Sequence, residues 1–432
     1  MTDSRNANPL AGFLSAGPGG ADEELSVVDR ILDAVRAHLG MEIAFAARYF
    51  DGRRQFTHIR TDLPVPSAPG DSEPNDESFC HHILEGRLPE LIHNALDIPF
   101  ARTLPITEAL PVGAHLDVPL RLKDGTVYGS FCCLSRSPDY SLTERDLGTM
   151  RAFAALAVDE IEREMRDGAA REAGLARIRG VLGGESLSMV FQPIHRLDTG
   201  AAVGVEALAR FAGGDGRTPD LWFTEAESLG LGAELEMLAV RQAVRALPYI
   251  PDDLYLAVNV SPATVTSGLL EEALAASADG RLVVEVTEHS NVADHRELCR
   301  ALDRLRGRVR IAIDDVGAGY SGLRRILDLK PDILKLDMSL TRDVDADPAR
   351  SALAEAMVGF AAGLGCAIVA EGIETAGEAA ALSRLGVGYG QGYHLSRPMP
   401  AVAAQQFLLG AGGSGDAPAA KAAPAQAVRR RA

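Results

Sequence analysis

Glu206, in Gly204-Val205-Glu206-Ala207-Leu208-Ala209-Arg210, opens a series of oxygen donors set at the ends of apolar, strand-like runs. The series continues with Asn259 after Ala257-Val258, Glu285 and Glu288 in Val284-Glu285-Val286-Thr287-Glu288, and Asp314-Asp315 after Ile311-Ala312-Ile313. It ends with Glu371 and Glu374 in Val369-Ala370-Glu371-Gly372-Ile373-Glu374. Acids gathered in one place repel one another unless cations hold them. Carboxylates with one amide, and neither histidine nor cysteine among them, suit Mg²⁺ or Mn²⁺ rather than Zn²⁺. Two such hard ions imply phosphoryl chemistry, because a pair ~3.5 to 4 Å apart binds a phosphate oxygen, lowers the pKa of a shared water and stabilises an in-line displacement. Lys335, in Leu334-Lys335-Leu336-Asp337, is a cation in mid-strand that can position or deprotonate that water, while Arg210 offers phosphate its planar fork. Asp314 and Asp315 are neighbours and point to opposite faces of a regular strand. Both reach one site only if the strand ends there, as the following Gly317-Ala318-Gly319 implies.

The elements that must position these groups begin near residue 186. Short apolar runs alternate with helical segments: Met189 to Ile194, Val203 to Leu208, Leu254 to Val260, Leu282 to Val286, Val309 to Ile313, Ile333 to Leu336, Ala367 to Ala370 and Tyr389 to Tyr393. Eight nearly continuous apolar strands separated by helices predict an α/β chain with a (β/α)8, TIM-like barrel, whose polar groups at the C-terminal strand ends form the site. Residues 23–165 read as a smaller α+β domain. A helix with Leu25, Val28, Ile31, Leu32 and Val35 on one face precedes a strand at Ile43 to Tyr49, and a Pro/Asp/Ser-rich loop covers 63–77. Strands at His115 to Leu122 and Val127 to Leu134 flank the turn Lys123-Asp124-Gly125-Thr126, and a helix with Leu147, Met150, Ala154, Ala157 and Ile161 closes the domain. Residues 166–185 are expected to be a connector helix, 186–408 the barrel, and 1–22 and 409–432 disordered tails.

Composition narrows the function. A formal net charge of −17 opposes a grip on long nucleic acid, which needs clustered Lys and Arg. The start of the chain lacks a basic region followed by an apolar stretch, and no run approaches the ~18 apolar residues of a membrane span, so a cytoplasmic protein is expected. Five cysteines at irregular spacing suit reduced thiols rather than a disulfide framework. Any one of the acids, read singly, is a solvated surface group; the set at separate strand ends is what points to metal. Cys80-His81-His82 is consecutive on a helix and cannot all face one ion, and Cys132 and Cys133 alternate across a strand, so at most one faces a pocket.

With these motifs in hand, residues 186–405 resemble an EAL domain, the cyclic-di-GMP phosphodiesterase family. The likeness is carried by Glu206-Ala207-Leu208-Ala209-Arg210, Asn259-Val260-Ser261, Glu285-Val286-Thr287-Glu288, Asp314-Asp315-Val316-Gly317-Ala318-Gly319-Tyr320-Ser321, Lys335-Leu336-Asp337, Glu371-Gly372-Ile373-Glu374 and Gln391-Gly392-Tyr393. The resemblance implies ligation of two Mg²⁺ or Mn²⁺ ions by Glu206, Asn259, Glu285, Asp314, Asp315 and Glu371. Catalytic roles fall to Lys335, Glu371 and Glu206, substrate contacts to Arg210, Gln192 and Gln391, and loop anchoring to Glu288 and Glu374. It also implies hydrolysis of cyclic di-GMP to linear pGpG and action as a homodimer. Two positions depart from the family pattern, Val316 for Phe and Gly322 for Ser, and they bear on regulation more than on chemistry. Residues 23–165 are similar to a GAF domain through Ser78-Phe79-Cys80, Gly86-Arg87-Leu88-Pro89, Val118-Pro119-Leu120 and Gly129-Ser130-Phe131-Cys132-Cys133, which implies a regulatory unit that binds an unidentified small molecule or only dimerises. A different outcome is a non-catalytic receptor for the same dinucleotide. Such barrels lose metal ligands, and this chain keeps them.

Overall fold

The computed structural model describes residues 25–65, 67–109, 112–184, 186–213, 216–274, 280–287, 295–317 and 323–411. The chain divides into two compact units, and the division falls between Ala170 and Arg171, inside the long helix Glu144–Leu182. Among the described residues, no helix is long and apolar enough to cross a membrane.

The first unit is built on a six-stranded antiparallel sheet. Its strands are β1 (Ile43–Phe50), β2 (Arg53–Thr61), β3 (Ser72–Pro74), β4 (Leu91–Ile92), β5 (His115–Arg121) and β6 (Val127–Leu134), in the order β3-β2-β1-β6-β5-β4. The helix Val27–Leu39 begins at Ser26, whose hydroxyl accepts from the Asp29 amide, and ends at Gly40 in the left-handed region. Val28, Ile31, Leu32 and Val35 lie on its buried stripe and pack, with Leu147, Met150, Ala154, Ala157 and Ile161 of the long helix, on one face of the sheet. Leu25 precedes this helix and is exposed. Sequence reasoning missed β2, because its inward positions include Arg54, a charge at only 4% exposure.

The second unit is a closed barrel of eight strands: β7 (Leu187–Arg196), β8 (Ala202–Phe211), β9 (Tyr255–Asn259), β10 (Leu282–Thr287), β11 (Arg310–Val316), β12 (Ile333–Leu336), β13 (Ala367–Ala370) and β14 (Tyr389–Gly390). A short β15 (Met399–Pro400) pairs outside the ring with β7. From β8 to β14 each pair is parallel, as expected for a barrel whose strands alternate with helices. The first strand departs from that pattern. β7 runs antiparallel to both β8 and β14, because the connection from Arg196 to Ala202 is too short for the crossover a parallel pair demands.

Period-two alternation sorts the barrel into layers. Leu256, Val258, Val284, Val286, Ile311, Ile313, Leu334, Leu336 and Ile368 face outward into a large core shared with the surrounding helices. Ile194, Tyr255, Ala257, Val283, Ala312, Ile333 and Val369 fill the interior. Gly204 belongs to that inner layer, where a Cβ would come within 2.7 Å of the Tyr255 ring. The next inward residue along each strand is polar, and these residues form the site.

Candidate active site

Two residues beyond the apolar interior layer, the strands present Glu206 of β8, Asn259 of β9, Glu285 of β10, Asp314 of β11 and Lys335 of β12, followed by Glu371 just after β13 and Gln391 just after β14. Lys335 sits at the centre, 1% exposed. Its Nζ lies 2.6 Å from Glu285 Oε2, 2.6 Å from Glu371 Oε1, 3.3 Å from Asp314 Oδ2 and 3.6 Å from Glu206 Oε2. Glu206 is clamped from the other side, where Asn259 Nδ2 donates to Oε1 at 2.7 Å and Gln391 Nε2 donates to Oε2 at 2.7 Å. Gln391 also donates to Gln192 Oε1 at 3.0 Å, and Gln192 in turn donates to the Ser396 carbonyl at 3.0 Å.

The electrostatics follow from one buried cation among several acids. Burial works against the Lys335 charge, but the summed attraction of Glu206, Glu285, Glu371 and Asp314 outweighs it and holds the ammonium well above its usual range. Glu285 is pushed well above the carboxylate range, first by burial and then by its acidic neighbours, despite Lys335. Glu371 is pushed up to about 8 by burial, with Asp314 and Glu206 adding to the effect. Glu206 moves the other way. Its burial is overcome by Lys335 and by the amide donors of Asn259 and Gln391.

Asp315 reaches the same place by a local distortion. It adopts φ +58, in the left-handed region that Asp tolerates better than most residues, and the β11–β12 register slips between Ile313 and Val316. Carboxylate oxygens of Asp314, Asp315 and Glu371 thereby come within 4.8 Å of one another, close enough to converge on one ion. Gly317 follows at φ +114, and a Cβ there would sit 2.2 Å from Leu340 Cδ1. Gly317→Ala is therefore expected to lower the unfolding free energy by about 1–3 kcal/mol and to depress turnover by displacing Asp315. Thermal melts with paired rate measurements check this, and wild-type values for both would show that the turn carries no constraint.

Arg210 is exposed near the end of β8 and donates to the Ala209 carbonyl at 2.7 Å. Glu374 lies past the Gly372 turn and pairs with Arg342, while its amide donates to Glu378 at 2.8 Å. Glu288 lies outside the described residues, as does Gly322; Val316 is buried in the outer core. Sequence reasoning overlooked Glu236, whose Oε2 accepts from both the amide and the hydroxyl of Ser261 at 2.9 Å and so fixes the segment after Asn259. The available signal was a carboxylate between the core residues Leu235 and Met237 of the helix Gly232–Val244. Thr341 was also overlooked; its hydroxyl donates to the Glu371 carbonyl.

The donor set fits hard divalent cations. It is made of carboxylates and amides, with neither imidazole nor thiolate among its described members. Gln391 Oε1 is buried with no hydrogen-bond partner among the described atoms, an acceptor suited to a water hydrogen.

The model of the EAL domain matches residues 176–398, and that of the GAF domain matches residues 23–161. A cyclic di-GMP phosphodiesterase of Pseudomonas aeruginosa, PA2567, is 37% identical over 234 residues, covering 50% of this chain and 39% of its own length. An uncharacterized signaling protein of Caulobacter vibrioides is 31% identical over 330 residues, covering 73% of this chain and 39% of its own length. Among solved structures, the PaMucR phosphodiesterase in its c-di-GMP complex is 32% identical with a TM-score of 0.50, covering 55% of this chain and all of that one. The chain thus spans about two fifths of the length of these curated relatives.

Proposed function

Since this chain belongs to the EAL-domain family, with a GAF domain preceding the barrel, we propose that it is a metal-dependent phosphodiesterase that hydrolyses cyclic di-GMP to linear pGpG. The observation that carries this reading is the polar layer around Lys335, where Glu206, Glu285, Asp314 and Glu371 all lie within 3.6 Å of one ammonium. Relatives named as cyclic di-GMP phosphodiesterases supply the substrate class.

Glu206, Asn259, Glu285, Asp314, Asp315 and Glu371 would hold two divalent cations, Mg²⁺ or Mn²⁺. When bound, these supply Lewis acidity to a phosphoryl oxygen and acidify the attacking water. Lys335 would donate to that water and fix its line of approach, a role supported by an ammonium that neighbours on three separate strands hold in place. Asn259 and Gln391 keep the Glu206 carboxylate in one orientation, and Glu371 is placed beside Lys335 to take part in proton transfer. Arg210, Gln192 and Gln391 are assigned to the nucleotide, Arg210 as the phosphate clamp. Glu288 and Glu374 are assigned to anchoring the loop after Asp315. Regulation by the GAF domain through the helix Glu144–Leu182, and action as a homodimer, complete the proposal.

Incubation of the purified protein with cyclic di-GMP and Mg²⁺ is expected to yield pGpG. A chelator should stop the reaction, and excess Mg²⁺ or Mn²⁺ should restore it. Intact dinucleotide after prolonged incubation, together with tight binding, would instead identify a receptor.

A further inference from the structure

A second cluster of ligating side chains lies in the GAF domain, on the sheet face opposite the helix Val27–Leu39. Cys80 comes from the helix Phe79–Leu84, His115 and Asp117 from β5, and Cys132 from β6. All four are buried, each at 2% exposure or less. One ligand atom from each of Cys80, His115 and Cys132 lies within 4.8 Å of the others, and Cys132 Sγ is 3.1 Å from His115 Nε2. Asp117 is the direct cross-strand partner of Cys132 and lies two residues from His115, so its carboxylate shares this face. Its Oδ1 is buried without a hydrogen-bond partner.

We infer that Cys80, His115 and Cys132 form a site for a thiophilic divalent cation of the Zn²⁺ class, with the Asp117 carboxyl beside it.

Two thiolates and an imidazole are the donors such an ion selects, in contrast to the all-oxygen barrel site, and three protein ligands leave the fourth tetrahedral position to a water or small ligand. Charge also balances. Two thiolates cancel the charge of the divalent ion, and the Arg54 guanidinium is balanced by Glu73. Arg54 Nη1 already donates to Cys80 Sγ at 2.8 Å, where it would support the ligand from outside the coordination shell. Its other terminal nitrogen pairs with Glu73, a quarter exposed. As metal–sulfur bonds form, both S–H bonds break and their protons leave to solvent. The cluster borders a cavity of about 60 Å³ that His115 and Arg54 line together with Phe45, Phe56, Phe79 and Val112.

The test uses the full-length protein, reduced and stripped of metal, titrated with Co²⁺. One equivalent is expected to produce a thiolate-to-cobalt charge-transfer band, which cobalt in an all-oxygen site cannot give, and one equivalent of Zn²⁺ should bleach it. Cys80→Ser and Cys132→Ser should each abolish the band, whereas Cys299→Ser should retain it. The wild-type titration alone can overturn the inference: no band in reduced protein, or a native Cys80–Cys132 disulfide in the untreated protein, would do so. So would a band that persists in both serine variants.

Discussion

Asp314→Ala is expected to lower cyclic di-GMP turnover by about a thousandfold or more, roughly 4 kcal/mol in the transition state, while leaving the cation-free protein no less stable. The two halves of this expectation share one cause. Asp314 is proposed to help hold the cations, so its loss removes charge stabilisation that nothing nearby replaces. In the cation-free state the same carboxylate is one of several acids around a single ammonium, at 3.3 Å from Lys335 Nζ, while Glu285 and Glu371 both sit at 2.6 Å. Deleting it relieves repulsion and leaves Lys335 with close partners. Single-turnover kinetics and chelator-treated thermal melts read the two halves separately. A variant that hydrolyses at the wild-type rate would remove Asp314 from the reaction, and one that melts far lower would make it a structural acid.

Lys335→Met should have the largest effect on stability. The substitution keeps an unbranched side chain but leaves Glu206, Glu285, Asp314 and Glu371 around a buried centre with no cation among them. Removing one partner of a buried charge network costs about 3–5 kcal/mol, so the chelated variant should melt well below the wild type. Added Mn²⁺ should recover much of that loss, since a ligand that binds only the folded site stabilises it in proportion to the logarithm of its concentration over Kd. Turnover should stay low even after this recovery, because the proposed water-orienting donor is gone. If the chelated variant melts with the wild type, or if Mn²⁺ restores both stability and rate, the proposed role of Lys335 is wrong.

Much of the barrel was legible because its signal is local. Each of the eight apolar runs reads as a strand by length and β-branched content, and Lys335 or Glu285 stands out because a charge in such a run must be explained. The antiparallel entry of β7 was harder to see. Its run is as apolar as the others, and only the short connection after Arg196 betrays the reversal. β2 escaped notice because Arg54 interrupts its apolar alternation, although that arginine is buried against Cys80 and Glu73.

The GAF cluster shows the sharper limit. Sequence adjacency draws attention to Cys80-His81-His82, yet His81 and His82 point elsewhere, His82 toward the Asp76 carbonyl at 2.9 Å. Cys80 instead meets His115 and Cys132, thirty-five and fifty-two residues further along. Side-chain alternation along a strand is fixed by backbone geometry, so the chain alone determined which residues could point into each interior, and that both Asp314 and Asp315 needed a broken strand to share one site. Which of those residues meet was decided by pairing register and barrel closure, because they depend on contacts between segments far apart in the chain. The left-handed turn at Asp315 draws on both: Asp315 and Gly317 are residues that permit it, and the register slip between β11 and β12 goes with it.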